Sequence, residues 1–520
     1  MTKSALWILA GTPLLAATCD DLAKLSLPHV NITTAAAVSG EFTPEGARQP
    51  MRNLPKFCRV AGVSRPTSDS EIQFEVWLPE PAAWNGKFQG IGNGGFAGTI
   101  SYPGLGGAVS RGYATASTDT GHKATTGIGA AWALNHPEKI VDFGHRAIHE
   151  TAEVGKAVIK AYYGDGPKRS YFNSCSNGGR QALMEAQRYP NDYDGIIAGA
   201  PANYWTHLLS SAGYGVKNLL AEPGAYISKE KLPAIQKNAQ ASCDKLDGVA
   251  DGVLEVPTAC KISVAPLACT GAETDNCLTK PQLTALEKIY RGLVDKKGKT
   301  IFPGISPGGE AEPGGWGPWI TGDAREKSAM FGFGTEFFKN MVYSDPNWDY
   351  KTFDAARDMK AAGQKTGAAL NAIDPDLSRF RARGGKLILY HGWSDAAIPA
   401  VNAINYYQSV NKKLGAAKAR EFTRLFMAPG MQHCGAGSGP NSFGQFGPNS
   451  NTDPSRDINA ALEQWVEKGI APEQIIATKY KGNGPSSGVE RTRPLCAYPL
   501  VAKYKGTGST DDAANFTCSR

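Results

Sequence analysis

The chain has 520 residues, 41% of them hydrophobic and 20% charged, with 60 Gly and 33 Pro. That length excludes a short binding module, and the balance describes a turn-rich chain with a buried core rather than a disordered one. Lys+Arg 55 against Asp+Glu 48 leaves +7, thinly spread, so nothing marks a nucleic-acid partner.

Along the chain, Lys3, the mostly apolar run Ala5–Ala17 and the small pair Ala16–Ala17 read as an export signal covering residues 1–17. Cleavage there implies a soluble periplasmic or secreted protein, because no later apolar run reaches the roughly 20 residues of a bilayer span. Strands are predicted at Ile72–Leu78, at Lys87–Ile91 before the loop Gly92-Asn93-Gly94-Gly95, at Ser170–Asn173 and at Gly195–Ala200. Helical spacing covers Arg146–Tyr162 and Gly179–Arg188. Alternating strands and helices imply a mostly parallel sheet covered on both faces. From residue 203 to 373 the texture changes to short pieces, Asp-Gly turns and a Gly/Pro-dense stretch, read as an inserted domain between sheet portions 18–202 and 374–520. Sheet texture returns with strands Lys386–Tyr390 and Phe422–Phe426 around a helix Ala400–Lys413.

Three turns carry chemistry. Ser174-Cys175-Ser176-Asn177-Gly178-Gly179 places small residues between a strand and a helix, the layout of a nucleophile elbow centred on Ser176. Ser174 stands where that motif usually has Gly, and a Ser-rich helix cap is the competing reading. Asp395 falls just past the strand Lys386–Tyr390, and His433 follows the last strand. Ser176, Asp395, His433 is the chain order of α/β-hydrolases, each residue after a different strand.

The ten cysteines include no CxxC pair, which favours disulfides over zinc in an exported chain. Connectivity is not readable from sequence alone. The close pairs Cys243/Cys260, Cys269/Cys277 and Cys496/Cys518 suggest local staples and leave Cys19, Cys58, Cys175 and Cys434. Cys175 precedes the candidate nucleophile and Cys434 follows the candidate base, so a bridge between them would fix the Ser–His geometry.

Cys175-Ser176-Asn177-Gly178-Gly179, Asp395 and His433-Cys434 together resemble the CS–D–HC arrangement of the tannase and feruloyl esterase family, which includes mono(2-hydroxyethyl) terephthalate hydrolase. The resemblance implies an α/β-hydrolase fold with a large inserted lid, a Ser176 nucleophile, a His433 base oriented by Asp395, and the Cys175–Cys434 bridge. It further implies hydrolysis of aromatic carboxylic esters such as galloyl, feruloyl or terephthaloyl half-esters.

Asp244, Asp247 and Asp251 lie within eight residues and, with the carbonyls of Val249 and Val253, form a plausible hard-oxygen set for Ca²⁺. The loop resembles the family's lid calcium site, with two solvated Asp-Gly turns as the alternative. For the oxyanion hole, Asn177 N–H is one candidate donor, and Gly94 or Gly95 is the other. Gly90–Gly95 also satisfies G-x-G-x-x-G, but Phe96–Gly107 does not read as the helix a dinucleotide site requires. Among lid aromatics, Trp316, Trp319, Phe331, Phe333 and Phe337 are candidates to line an aromatic acyl slot, with Ile398 bordering it. A secreted calcium-dependent binding module without catalysis is the alternative function. The substrate is expected to be a small-molecule ester, and oligomeric state is not readable.

Overall fold

The computed structural model describes residues 17–124, 126–446, 452–482 and 484–520. Apart from Ala17, the expected export signal lies outside the described residues.

Nine strands form one sheet: β1 (Val30–Phe42), β2 (Met51–Ser64), β3 (Ile72–Pro79), β4 (Lys87–Ile91), β5 (Ala114–Thr118), β6 (Arg169–Cys175), β7 (Gly195–Gly199), β8 (Lys386–Gly392) and β9 (Thr423–Ala428). Their spatial order is β1-β2-β3-β5-β4-β6-β7-β8-β9. The first three pairings are antiparallel, and the remaining five, from β5 to β9, are parallel. This is the α/β-hydrolase arrangement. β7 reads GIIAG and β9 reads TRLFMA, buried at every position, as strands covered on both faces must be.

The sequence reading misses β1 and β2. β1 is largely Thr, Ala, Ser and Gly with an irregular exposure pattern, and β2 contains Pro55, so neither shows clean alternation. Their pairing is decided by neighbours, and the Cys19–Cys58 disulfide fastens the N-terminal segment to β2. The stretch after the glycine loop also differs from expectation: Tyr102–Ser110 is a helix with Pro103 in its first turn, where proline is tolerated. Its glycines are contact points, since a Cβ on Gly104 would lie 2.5 Å from the Ile91 side chain. The helix predicted from Arg146 occupies Ala147–Tyr163 and continues a widened turn at Asp142–Arg146 and a short helix Pro137–Val141.

Between β7 and β8 the chain leaves the sheet. Helices there include α2 (Trp205–Val216) and α3 (Lys280–Arg291), numbered after α1 (Asn177–Arg188), which follows β6. They enclose their own apolar cluster, including Trp205, Leu219, Ile235, Leu286 and Phe337. A separate cluster, including Val60, Phe88, Phe172 and Leu389, fills the core against the sheet.

Candidate active site

The turn between β6 and α1 is set by steric limits. Ser176 adopts φ 68°, ψ −125°, a conformation costly for a side-chain-bearing residue and a mark of functional turns. A Cβ on Gly178 would lie 1.8 Å from Ser174 Oγ, and one on Gly179 would lie 2.2 Å from Gly199 O. Only glycine fits at either place, and Ser176 N–H donates to Gly199 O at 2.9 Å, fixing the turn to the end of β7. The Ser176 side chain does not cap α1, which removes the helix-cap reading.

His433 Nε2 lies 2.8 Å from Ser176 Oγ and His433 Nδ1 lies 2.9 Å from Asp395 Oδ2. The three side chains thus form one hydrogen-bonded chain across 257 residues of sequence. Asp395 is fully buried, and its Oδ1 accepts from the Ala397 and Ile398 amides at 2.8 and 2.9 Å. Burial alone would raise its carboxyl, but the charge of His433 and the hydrogen bonds from His391 and His433 hold it well below the usual carboxylate range. The Cys175–Cys434 disulfide is present, with Cα atoms 6.0 Å apart. The other pairs, Cys19–Cys58, Cys243–Cys260, Cys269–Cys277 and Cys496–Cys518, also form, and no described cysteine is free. Five bridges suit an oxidising compartment.

Two sets of residues escape the sequence reading. The fully buried His391 places Nε2 3.1 Å from Asp395 Oδ2 and 3.0 Å from Ile398 O. Both neighbours accept, so Nε2 carries the proton and donates. His391 opens the same His-Gly-Trp-Ser-Asp turn as Asp395, and this four-residue spacing was the available signal. The second set is a buried network. Asn177 Nδ2 donates to Asn93 O, while Gln181 binds Asn93 twice, at 3.1 Å and 2.8 Å. Arg180 clasps Asn177 Oδ1 with Nε at 2.9 Å and Nη2 at 2.6 Å, its guanidinium lying over Phe143 and Trp205. Full burial pushes Arg180 down to about 9. These bonds couple the glycine loop to the nucleophile turn, so both candidate sources of oxyanion donors move as one unit. Gly95 has φ 57° and a Cβ there would lie 2.1 Å from Gly127 O, whereas a Cβ on Gly94 would meet nothing within 4 Å. Backbone geometry requires glycine at 95; open space surrounds 94.

Two cavities meet at this wall. One of about 130 Å³ runs under the insertion and is bordered by Trp205, Leu209, Trp319, Phe333 and Ile398. The other, about 490 Å³, lies beside Asn173, Cys175, Cys434 and Arg111. Ser176, His433, Gly95 and Trp319 border both. Of the expected lid aromatics, Trp319 and Phe333 reach the cavity, and the Trp319 ring stands 4.9 Å from that of His433. The other three do not line it. Trp316 packs against Tyr290, Phe331 against Tyr350, and Phe337 is fully buried beside Phe338, because core packing claims most aromatic side chains.

In the acidic loop, Asp244 Oδ1 accepts from Gly252 N–H, Asp247 from Val249 and Glu255 N–H, and Asp251 from Val253 N–H. Asp251 Oδ2 is also bound by Arg491 and Arg493 at 2.9 and 2.7 Å. No group of three His, Cys, Asp or Glu among the described residues converges as a metal cage. The donors are nevertheless the hard oxygens calcium takes. Burial, followed by repulsion from Asp251, raises Asp244 and Asp247, and a bound cation would relieve that repulsion.

The tannase and feruloyl esterase family pattern matches residues 58–519. The chain belongs to this family. It is 45% identical to an uncharacterized esterase of Xanthomonas campestris pv. campestris, over 99% of this chain and 94% of the relative. It is 33% identical to a probable feruloyl esterase B-2 of Aspergillus terreus, over 96% and 95% of the two chains. Among solved structures, an esterase from Aspergillus oryzae superposes with a TM-score of 0.88 at 33% identity, covering 96% of this chain and 99% of that one. The protein is therefore a carboxylic ester hydrolase of the tannase/feruloyl esterase type acting on a small-molecule ester, which displaces the reading of a non-catalytic binding module. No described helix is long and apolar enough to cross a membrane.

Proposed function

We propose that this esterase cleaves aromatic carboxylic esters through an acyl-enzyme on Ser176. The observation that carries the reading is the unbroken Ser176–His433–Asp395 hydrogen-bond chain. His433 Nε2 takes the Ser176 proton as Oγ attacks the ester carbonyl, and Asp395 holds the imidazole with Nδ1 protonated and stabilises its positive charge. The oxyanion forms toward Asn177 N–H and an amide of the Gly94–Gly95 pair, donors each worth on the order of a hundredfold or more in rate. His433 then protonates the departing alcohol, and water, activated by the same imidazole, releases the acid.

The apolar cavity under the insertion, bordered by Trp319 and Phe333, suits a planar aromatic acyl group. The larger cavity, bordered by Asn173, Arg111 and Gln445, suits the alcohol portion. Galloyl, feruloyl and terephthaloyl esters all satisfy this division. Export to the periplasm or medium fits the five disulfides, and Ca²⁺ held by Asp244, Asp247 and Asp251 with the Val249 and Val253 carbonyls would stiffen the insertion without entering the chemistry. A fluorophosphonate serine probe tests the central assignment. Wild type should label and Ser176→Ala should not; equal labelling of both would remove Ser176 as nucleophile.

A further inference from the structure

We infer that Lys288 reads an oxygen-bearing, preferentially anionic group at the far end of the acyl moiety, making it a specificity-determining residue. The inference rests on the reading of the cavity under the insertion as the acyl slot.

α2 lines that slot along one face, with Trp205, Leu208, Leu209, Ala212 and Gly215 at helical spacing. The ten-residue interval from Trp205 to Gly215 spans about 15 Å at helical rise. The near end is fixed to the nucleophile, because Ala202 N–H donates to Ser176 O at 3.1 Å just before α2 begins. Near the other end of α2 the slot gains the cationic border residue Lys288, delivered by α3. Its ammonium donates to Asn218 Oδ1 at 2.7 Å, and Asn218 Nδ2 in turn donates to Tyr214 O at 2.7 Å. Asn218 therefore orients the ammonium without neutralising it, and one of its three N–H groups is engaged there.

Lys288 is half-buried and makes no ion pair among the described residues. Most other residues bordering this cavity are apolar. With one N–H held by Asn218, the ammonium can offer its remaining donors to an anionic or accepting substituent through a charge-assisted hydrogen bond. A carboxylate or a phenolic oxygen para to the acyl chain supplies the required chemistry. Lys288 touches neither the scissile bond nor the triad, so its effect falls on choice among acyl groups. A role confined to tying α3 to the end of α2 would change stability and leave that choice untouched.

The test compares ethyl esters of cinnamic, 4-hydroxycinnamic and 4-carboxycinnamic acids with wild type, Lys288→Met and Lys288→Gln, the last retaining a donor for Asn218 without the charge. Wild type should favour at least one oxygenated ester over cinnamate in kcat/KM. Both variants should lower that ratio roughly tenfold or more, chiefly through KM, as loss of a hydrogen bond to a charged group does. The arm that responds distinguishes carboxylate from phenol. A ratio that matches wild type in both variants, or a wild type that favours cinnamate, overturns the inference while the aromatic-ester reading stands. A wild type inactive on all three esters overturns the inference, and inactivity that extends to galloyl and terephthaloyl esters overturns the aromatic-ester reading as well. If Lys288→Met folds poorly, Lys288→Gln alone decides.

Discussion

Removing the Cys175–Cys434 bridge tests whether the disulfide is part of the catalytic geometry. It closes a separation of 259 residues, for which the chain-entropy model gives about 5.6 kcal/mol of constraint on the unfolded state. The smaller loops already closed by Cys243–Cys260 and Cys269–Cys277 lie inside it and reduce that figure slightly. The activity effect has a separate origin. The bridge joins the residue before Ser176 to the residue after His433, and both Ser176 and Cys434 hold positive φ, at 68° and 64°. Freed from the bridge, these strained turns relax independently, and a displacement of about 1 Å costs on the order of a hundredfold in rate. In Cys175→Ala/Cys434→Ala, kcat on an aromatic ester should therefore fall between about ten- and a hundredfold with a smaller change in KM, and the urea midpoint should also fall. A double variant with wild-type kcat and midpoint would show that the bridge constrains neither the turns nor the fold.

Three further outcomes are expected. His391→Phe removes the donor facing Asp395 and should lower kcat/KM by roughly ten- to a hundredfold, the scale of one hydrogen bond to a charged group, with His391→Gln restoring part of it; unchanged kinetics in His391→Phe would remove it as a positioning residue. His122 is buried against Trp132, and burial pushes it down to about 4 from 6.5. Between those values the unfolded chain binds a proton that the fold refuses, so stability should decline as pH falls from 6.5 to 4, by up to about 3 kcal/mol; His122→Asn, compared in urea midpoints at pH 7 and 4.5, should flatten that slope, and an identical slope would assign it to other groups. Chelation with verified metal loss should lower the melting temperature and leave the intrinsic chemistry of the surviving fold nearly unchanged; a constant melting temperature would reject calcium at Asp244, Asp247 and Asp251.

Much of the site is legible before folding because its signals are local. The Ser174–Gly179 turn is dictated by what fits beside a Cβ, and the buried parallel strands announce themselves as apolar runs. The order Ser176, Asp395, His433, each after a strand, follows from those two readings together. β1 and β2 were illegible because a half-exposed Thr/Ala strand and a Pro-containing one lack periodicity.

The amino-acid order by itself determined the strained turn, the sheet class and the identity of the three triad candidates, since each depends on neighbours a few residues away. Only the tertiary structure decided that Arg180 and Asn177 would lock onto Asn93, that Trp319 and Phe333 would reach the cavity while Phe337 filled the core, and that Lys288 would border the slot beside α2. Those outcomes depend on which surfaces compete for burial across hundreds of residues, and side-chain chemistry alone does not rank such competitors.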